Sequence, residues 1–238
     1  AEANAVGDTS HADLQYLTQT GADNAIYVDA YGDNANATAY NVSQTGAYNH
    51  AHVYAAADNS TAGATDVYQN GNDNYVDLHA EGVGSTTTAG NVFQTGTGNY
   101  IDSTTTGTNT TVGVNYFAQS GIYNGLYSTV EGTNDQVNVA FSTMNGDFNR
   151  IDIETSIGGV GGNADVDVSG VTISGSGNYV QIDVAAANSV PGQYGATFDG
   201  VSVSGNGNSF TLSSTGDDSD AVISALYVNG DGNQFTAA

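Results

Sequence analysis

A Gly-x-x-Asn pair returns along the whole chain at a nearly fixed pitch. Its glycines are Gly21, Gly46, Gly71, Gly96, Gly121, Gly146, Gly175, Gly205 and Gly230, at intervals of 25, 25, 25, 25, 25, 29, 30 and 25 residues. The asparagine three residues later is present every time: Asn24, Asn49, Asn74, Asn99, Asn124, Asn149, Asn178, Asn208 and Asn233. Five consecutive identical intervals do not suit a globular core assembled from unlike elements. They predict a repeat architecture in which each unit packs on its neighbours.

The columns of the repeat give the unit its form. Two residues after the asparagine come Ile26, Ala51, Val76, Ile101, Leu126, Ile151, Val180, Phe210 and Phe235, and two further on Val28, Val53, Leu78, Ser103, Ser128, Ile153, Ile182, Leu212 and Ala237. Mostly polar residues stand between them, which is the period-two alternation of a strand. A second strand precedes the glycine, with inward columns at nine, seven and four positions before it. The change from odd to even offsets predicts a bulge or corner near five before the glycine. Gly-x-x-Asn makes one turn. A Gly or Asn cluster 11 to 13 residues later, as in Gly32–Asn34 and Gly107–Asn109, makes the other, since both residues accept left-handed backbone.

The predicted fold is therefore all-β: a β-solenoid of about nine 25-residue strand-turn-strand-turn coils. Residues 1–11 form a partial N-terminal coil, and residues 12–238 form the solenoid. Loop insertions near 157–163 and 187–195 absorb the two longer intervals, and the only proline, Pro191, falls in the second. Equivalent residues should sit one rung, about 4.7–4.8 Å, apart. Asparagine over asparagine is then a structural amide ladder, each side chain donating to one neighbour and accepting from the other. Gln19, Gln44, Gln69, Gln94 and Gln119 predict a second ladder, which gives way to Met144, Ile173, Val203 and Val228. A buried amide without a partner costs ~1–3 kcal/mol. Gln therefore suits a column only as a block. By the same logic, Asn99→Leu should strand the amides of both Asn74 and Asn124.

Charge narrows the partners. One basic residue, Arg150, stands against 25 Asp and Glu, for a net charge of −24. That opposes binding to nucleic acid or anionic lipid. No apolar run reaches the length of a membrane span, so membrane insertion is not expected. The absence of cysteine excludes disulfides and thiolate chemistry. The first residues, AEANAVGDTS, read as the product of cleavage at a small-residue site, which predicts export.

Gln-x-Gly-x-x-Asn-x-Ala-x-Val stands at Gln44, Gly46, Asn49, Ala51 and Val53. It resembles the curlin repeat, the unit of curli-type bacterial amyloid fibres. The first five repeats carry its Gln, Gly and Asn, whereas the last four keep only Gly and Asn. The resemblance implies a secreted, self-assembling structural subunit of a cell-surface or biofilm-matrix fibre. It also implies a minor nucleator subunit and an outer-membrane secretion channel as partners. The residues themselves predict head-to-tail stacking of copies, because both ends fall near one phase of the coil without a polar cap. Nine coils would span about 43 Å. The alternative is a monomeric secreted solenoid, serving as an adhesin or as a ligand-, Ca²⁺- or ice-binding module.

Other groups of residues invite chemical readings. His50 and His52 share an outward face, with His79 on the next coil near Asp77, a set that could ligate a transition metal. The preferred reading is exposed polar decoration without a metal. Asp77, Asp102 and Asp152 suggest a Ca²⁺ strip, but neither an EF-hand loop nor the β-roll nonapeptide is present, and a solvated acidic face is preferred. Asp217–Asp220 reads as a solvated turn. Gly158–Asn163 lacks the Lys-Ser/Thr of a phosphate loop. The threonine runs Ser85–Thr88 and Ser103–Thr106 are placed at turns and form no column through the stack, which weakens ice binding. No catalytic constellation stands out. The chain is expected to be neither an enzyme nor a cofactor carrier.

Overall fold

The computed structural model describes residues 1–146, 148–157, 164–185, 195–215 and 220–238. Two parallel sheets wind into one solenoid, with no helix among the described residues. The first sheet has ten strands, in the order Glu2–Val6, Ile26–Tyr31, His50–Ala56, Tyr75–Glu81, Tyr100–Thr108, Gly125–Thr133, Arg150–Ile157, Tyr179–Ala185, Ser209–Thr215 and Gln234–Ala237. The partial N-terminal coil is the first of these, with Ala3 opposite Val28. Register follows the repeat: Ile26 faces Ala51, Ala51 faces Val76, and Ile151 faces Val180 across the longer interval.

Among the described residues the second sheet has fourteen strand segments, and its strands bend at the position five before the turn glycines. In the first coils one strand runs through the bend, as in Asn36–Thr45, and the pairing skips a residue there. Gln15 pairs with Tyr40 and Leu17 with Val42, leaving Tyr16 and Asn41 out. From the fifth coil the strand divides in two, first as Thr111–Asn115 and Ala118–Ile122. Each later coil thus has three strand segments, one more than the sequence predicts. The corner itself has a backbone cause, shared by the undivided and the divided strands. Tyr16, Asn41, Asp66, Asn91, Tyr116 and Phe141 all hold φ between 50° and 54°. One left-handed residue turns the next side chain to the opposite face, and this produces the change of offset.

Alternation places the core between the sheets. Ile26, Val28, Val53, Leu78, Ile101, Leu126, Ile151, Ile153 and Ile182 are fully buried. Some inward positions are polar instead. Thr87 meets Ser103 across the core at 2.5 Å between hydroxyls, and Thr105 is also buried. This corrects the placement of the threonine runs. Thr86–Thr88 and Thr104–Thr106 lie inside strands, because threonine suits strand geometry. Gly158–Asn163, Pro191 and Asp217–Ser219 lie outside the described residues, as do the predicted loop insertions apart from Ile157 and Gly195.

Candidate functional site

The turn glycines show why their column is fixed. Each holds φ between 126° and 154°, where L side chains are strained. From Gly46 to Gly230, a Cβ would stand 1.4–2.0 Å from the carbonyl oxygen of the glycine one coil before. At Gly21 it would meet nothing within 4 Å. The steric demand therefore comes from stacking, and only the φ demand comes from the turn.

The glutamine column is brought into register as expected: Gln19 faces Gln44, Gln44 faces Gln69, Gln69 faces Gln94, and Gln94 faces Gln119. Gln19 Nε2 donates to Gln44 Oε1 at 3.1 Å, Gln94 to Gln69 at 2.9 Å, and Gln119 to Gln94 at 2.8 Å. Each Nε2 also donates within its own coil to the carbonyl six residues on: Ala25, His50, Tyr75, Tyr100 and Gly125. The glutamine thus spans the turn and pins the start of the next strand. Beyond Gln119 the column is Met144, Ile173 and Val203, all buried. At that boundary Gln119 Oε1 has no partner among the described residues.

The asparagine column behaves similarly. Asn99, Asn124, Asn149, Asn178 and Asn208 each donate to the asparagine of the next coil at 2.8–2.9 Å. From Asn74 onward, each Nδ2 also reaches back to the carbonyl of the turn glycine three residues before it, at 2.5–3.5 Å. A ladder alone requires only that neighbouring coils match. The bonds inside the coil explain why Gln, Gly and Asn also keep fixed spacings within each repeat.

The ladders are not continuous. Asn49 donates backward to Asn24 at 2.6 Å, opposite in direction to Asn99 and later members. The glutamine ladder reverses too, since Gln19 donates forward whereas Gln94 and Gln119 donate backward. As a result Asn49, Asn74 and Asn99 each hold an Oδ1 without a partner among the described residues. Asn99 is joined to Asn124 and not to Asn74, which corrects the expectation that both depend on it.

On the outer face of the first sheet, His50 and His52 alternate along one strand, and Asp77 lies opposite His52 on the next coil. His52 Nδ1 is 2.8 Å from Asp77 Oδ2, and this contact raises the imidazole pKa. Burial lowers that of His50. The ligand atoms of His50, His52 and Asp77 all lie within 4.8 Å of one another. His79, grouped with them in the sequence, instead pairs with Glu81 at 2.8 Å. Asp102 stacks on Asp77 as expected, its carboxyl raised by burial and then by Asp77. Asp152 stands beyond Tyr127, and the three do not form a continuous strip. At the corners, Tyr16, Tyr48, Tyr116, Tyr123, Phe141 and Phe148 are 52–76% exposed, and Tyr116–Phe141 and Tyr123–Phe148 stack with ring centroids 5.4 and 5.5 Å apart.

No family model, curated protein or solved structure matches the chain. Among the described residues, no helix is long and apolar enough to cross a membrane.

Proposed function

We propose that the chain is a structural subunit of an extracellular amyloid-like fibre of the curli type, in which copies stack head-to-tail and continue the coil. One observation carries the reading: successive coils stack parallel and in register on a shared Gly-x-x-Asn corner, with a largely buried Asn column throughout and a Gln column in the first five coils. A surface that fits the next coil of its own chain also fits the equivalent coil of another copy. The partners are further copies, with a minor nucleator subunit and an outer-membrane secretion channel by the curlin resemblance. The ladder residues are structural, and the reading assigns no catalytic step, cofactor, nucleic acid or membrane insertion.

The test is electron microscopy and diffraction after quiescent incubation. Unbranched fibres with a rung spacing of about 4.7–4.8 Å, seeded by their own fragments, are expected. Monodisperse rods that no seed converts would overturn the reading.

A second reading, a monomeric adhesin, is favoured by the exposed aromatics at the corners. Tyr16, Tyr116, Phe141 and Phe148 occupy left-handed positions that glycine takes more easily. Such placement suits contact with something outside the coil.

A further inference from the structure

We propose that His50, His52 and Asp77 form a binding site for a divalent transition-metal ion of the zinc or copper class, which staples two neighbouring coils together. The geometry comes from the repeat. His50 and His52 stand two apart on one strand and so share a face, and register sets Asp77 one rung away from His52. Two imidazoles and one carboxylate are donors that Zn²⁺ and Cu²⁺ accept, whereas Ca²⁺ takes six to eight oxygens. Tetrahedral zinc needs donors about 3.3–3.4 Å apart. These already lie within 4.8 Å, so small side-chain rotations close the site.

The surroundings support it. The His50 ring packs between Tyr27 and Tyr75, at centroid distances of 5.9 and 5.1 Å, and His52 stacks on Tyr54 at 6.5 Å. These walls limit the rotamers of both imidazoles. The side chains of His52 and Asp77 are 28% and 26% exposed, which leaves a solvent-facing position for water as the fourth ligand. The acidic molecule concentrates cations near its surface.

Position gives the site a purpose. The step from Gln44 and Asn49 to Gln69 and Asn74 is the one across which neither ladder joins amide to amide among the described residues. The His52–Asp77 contact spans that same step. A bound ion would tie the two coils where the internal ladders do not.

The experiment uses the full chain, kept monomeric at low ionic strength. Zn²⁺ is titrated calorimetrically, and the melting temperature is measured with and without the ion. Substoichiometric Cu²⁺ is then added while the four histidine ring signals are followed by NMR. Expected are one saturable site per chain, a higher melting temperature, and selective broadening of His50 and His52. Loss of even an outer-sphere partner typically weakens metal binding 10–100-fold. His50→Gln should therefore weaken Kd by at least about tenfold, and His11→Gln should leave it unchanged. Absence of saturable binding, equal affinity in His50→Gln, or broadening first at His11 or His79 would each overturn the proposal. The NMR arm needs no variant, so misfolding of His50→Gln would not shelter it.

Discussion

Gly96 has two separate reasons to be glycine, and they can be measured apart. Its φ of 132° strains any L residue, and a Cβ there would stand 1.7 Å from the Gly71 carbonyl oxygen. Gly21 has the first reason alone within one chain, with φ at 126° and nothing within 4 Å. Gly21→Ala should therefore cost about 1–3 kcal/mol of backbone strain. Gly96→Ala must also push two coils apart, and should cost clearly more or prevent folding. Urea denaturation of both variants checks this, and equal losses would mean that stacking does not constrain the glycine. Asp135 offers a second measurement at this scale. It is 1% exposed, and its Oδ1 accepts from Thr110 Oγ1 at 2.6 Å while its Oδ2 has no partner among the described residues. Burial raises its pKa above the ordinary 3.8 more than the Thr110 bonds lower it. The folded state therefore binds this proton more tightly than the unfolded state does. The resulting stabilisation is present below pH 3.8 and is lost as pH rises through the raised value. Asp135→Asn should stabilise the chain at pH 7 by on the order of 1 kcal/mol, and the gain should shrink towards pH 3. A gain that is independent of pH would assign it to something other than ionisation.

Between coils, the unit of stabilisation is the amide and its three acceptors. Asn99 Nδ2 lies 2.9 Å from Gly96 O, 3.0 Å from Ser120 O and 2.9 Å from Asn124 Oδ1. Asn99→Leu leaves those acceptors short of a donor, at ~1–3 kcal/mol for each one stranded. Because Asn99 bonds Asn124 and not Asn74, a double-mutant cycle of Asn99→Leu with Asn124→Leu should give a coupling of about 0.5–3 kcal/mol. The same cycle with Asn74→Leu should give a smaller one. Equal couplings would restore a continuous ladder. The columns themselves were legible from the sequence, because the period is fixed and alternation sorts inner from outer residues. The corner at Tyr16 and its equivalents was legible as a change of offset. Its consequence was not, since a left-handed residue leaves the strand whole in one coil and splits it in another. The direction of each amide bond was hidden as well. Gln and Asn donate and accept alike, so register fixes who the neighbours are but not which way the bond runs. The glutamine's reach to the carbonyl six residues on could have been suspected from spacing alone, because no ladder between coils needs it. The threonine runs were misplaced because a small hydroxylated residue fits a turn and the inside of a strand equally well.

At the scale of the whole molecule, the fold asks copies to approach each other against their own charge. Alternation removes most acids from the interior, so the −24 net charge lies largely on outer columns that stacking would extend. Asp77 and Asp102 already stand one rung apart, and Asp102 is raised by burial and by Asp77. Asp167 is raised by burial and by Asp199, which stands two residues along the neighbouring strand from its direct partner Thr197. If copies stack head-to-tail, chains of net charge −24 are brought end to end. That repulsion acts over a Debye length of about 30 Å at 0.01 M salt and about 3 Å at 1 M. The amide and apolar contacts of the junction act at van der Waals distance, and salt does not screen them. Elongation should therefore quicken as NaCl rises, with lag times shortening through the sub-molar range. Lowering the pH should do the same, because raised carboxyls such as Asp102 and Asp167 take up protons before ordinary ones. Asp102→Asn should shift the salt curve modestly towards lower concentrations, since it removes one charge of many. Seeded growth followed by light scattering at several salt concentrations measures all three. A rate indifferent to both salt and pH would show that charge does not limit assembly, and the slow step would then be ordering of the end coils before they meet.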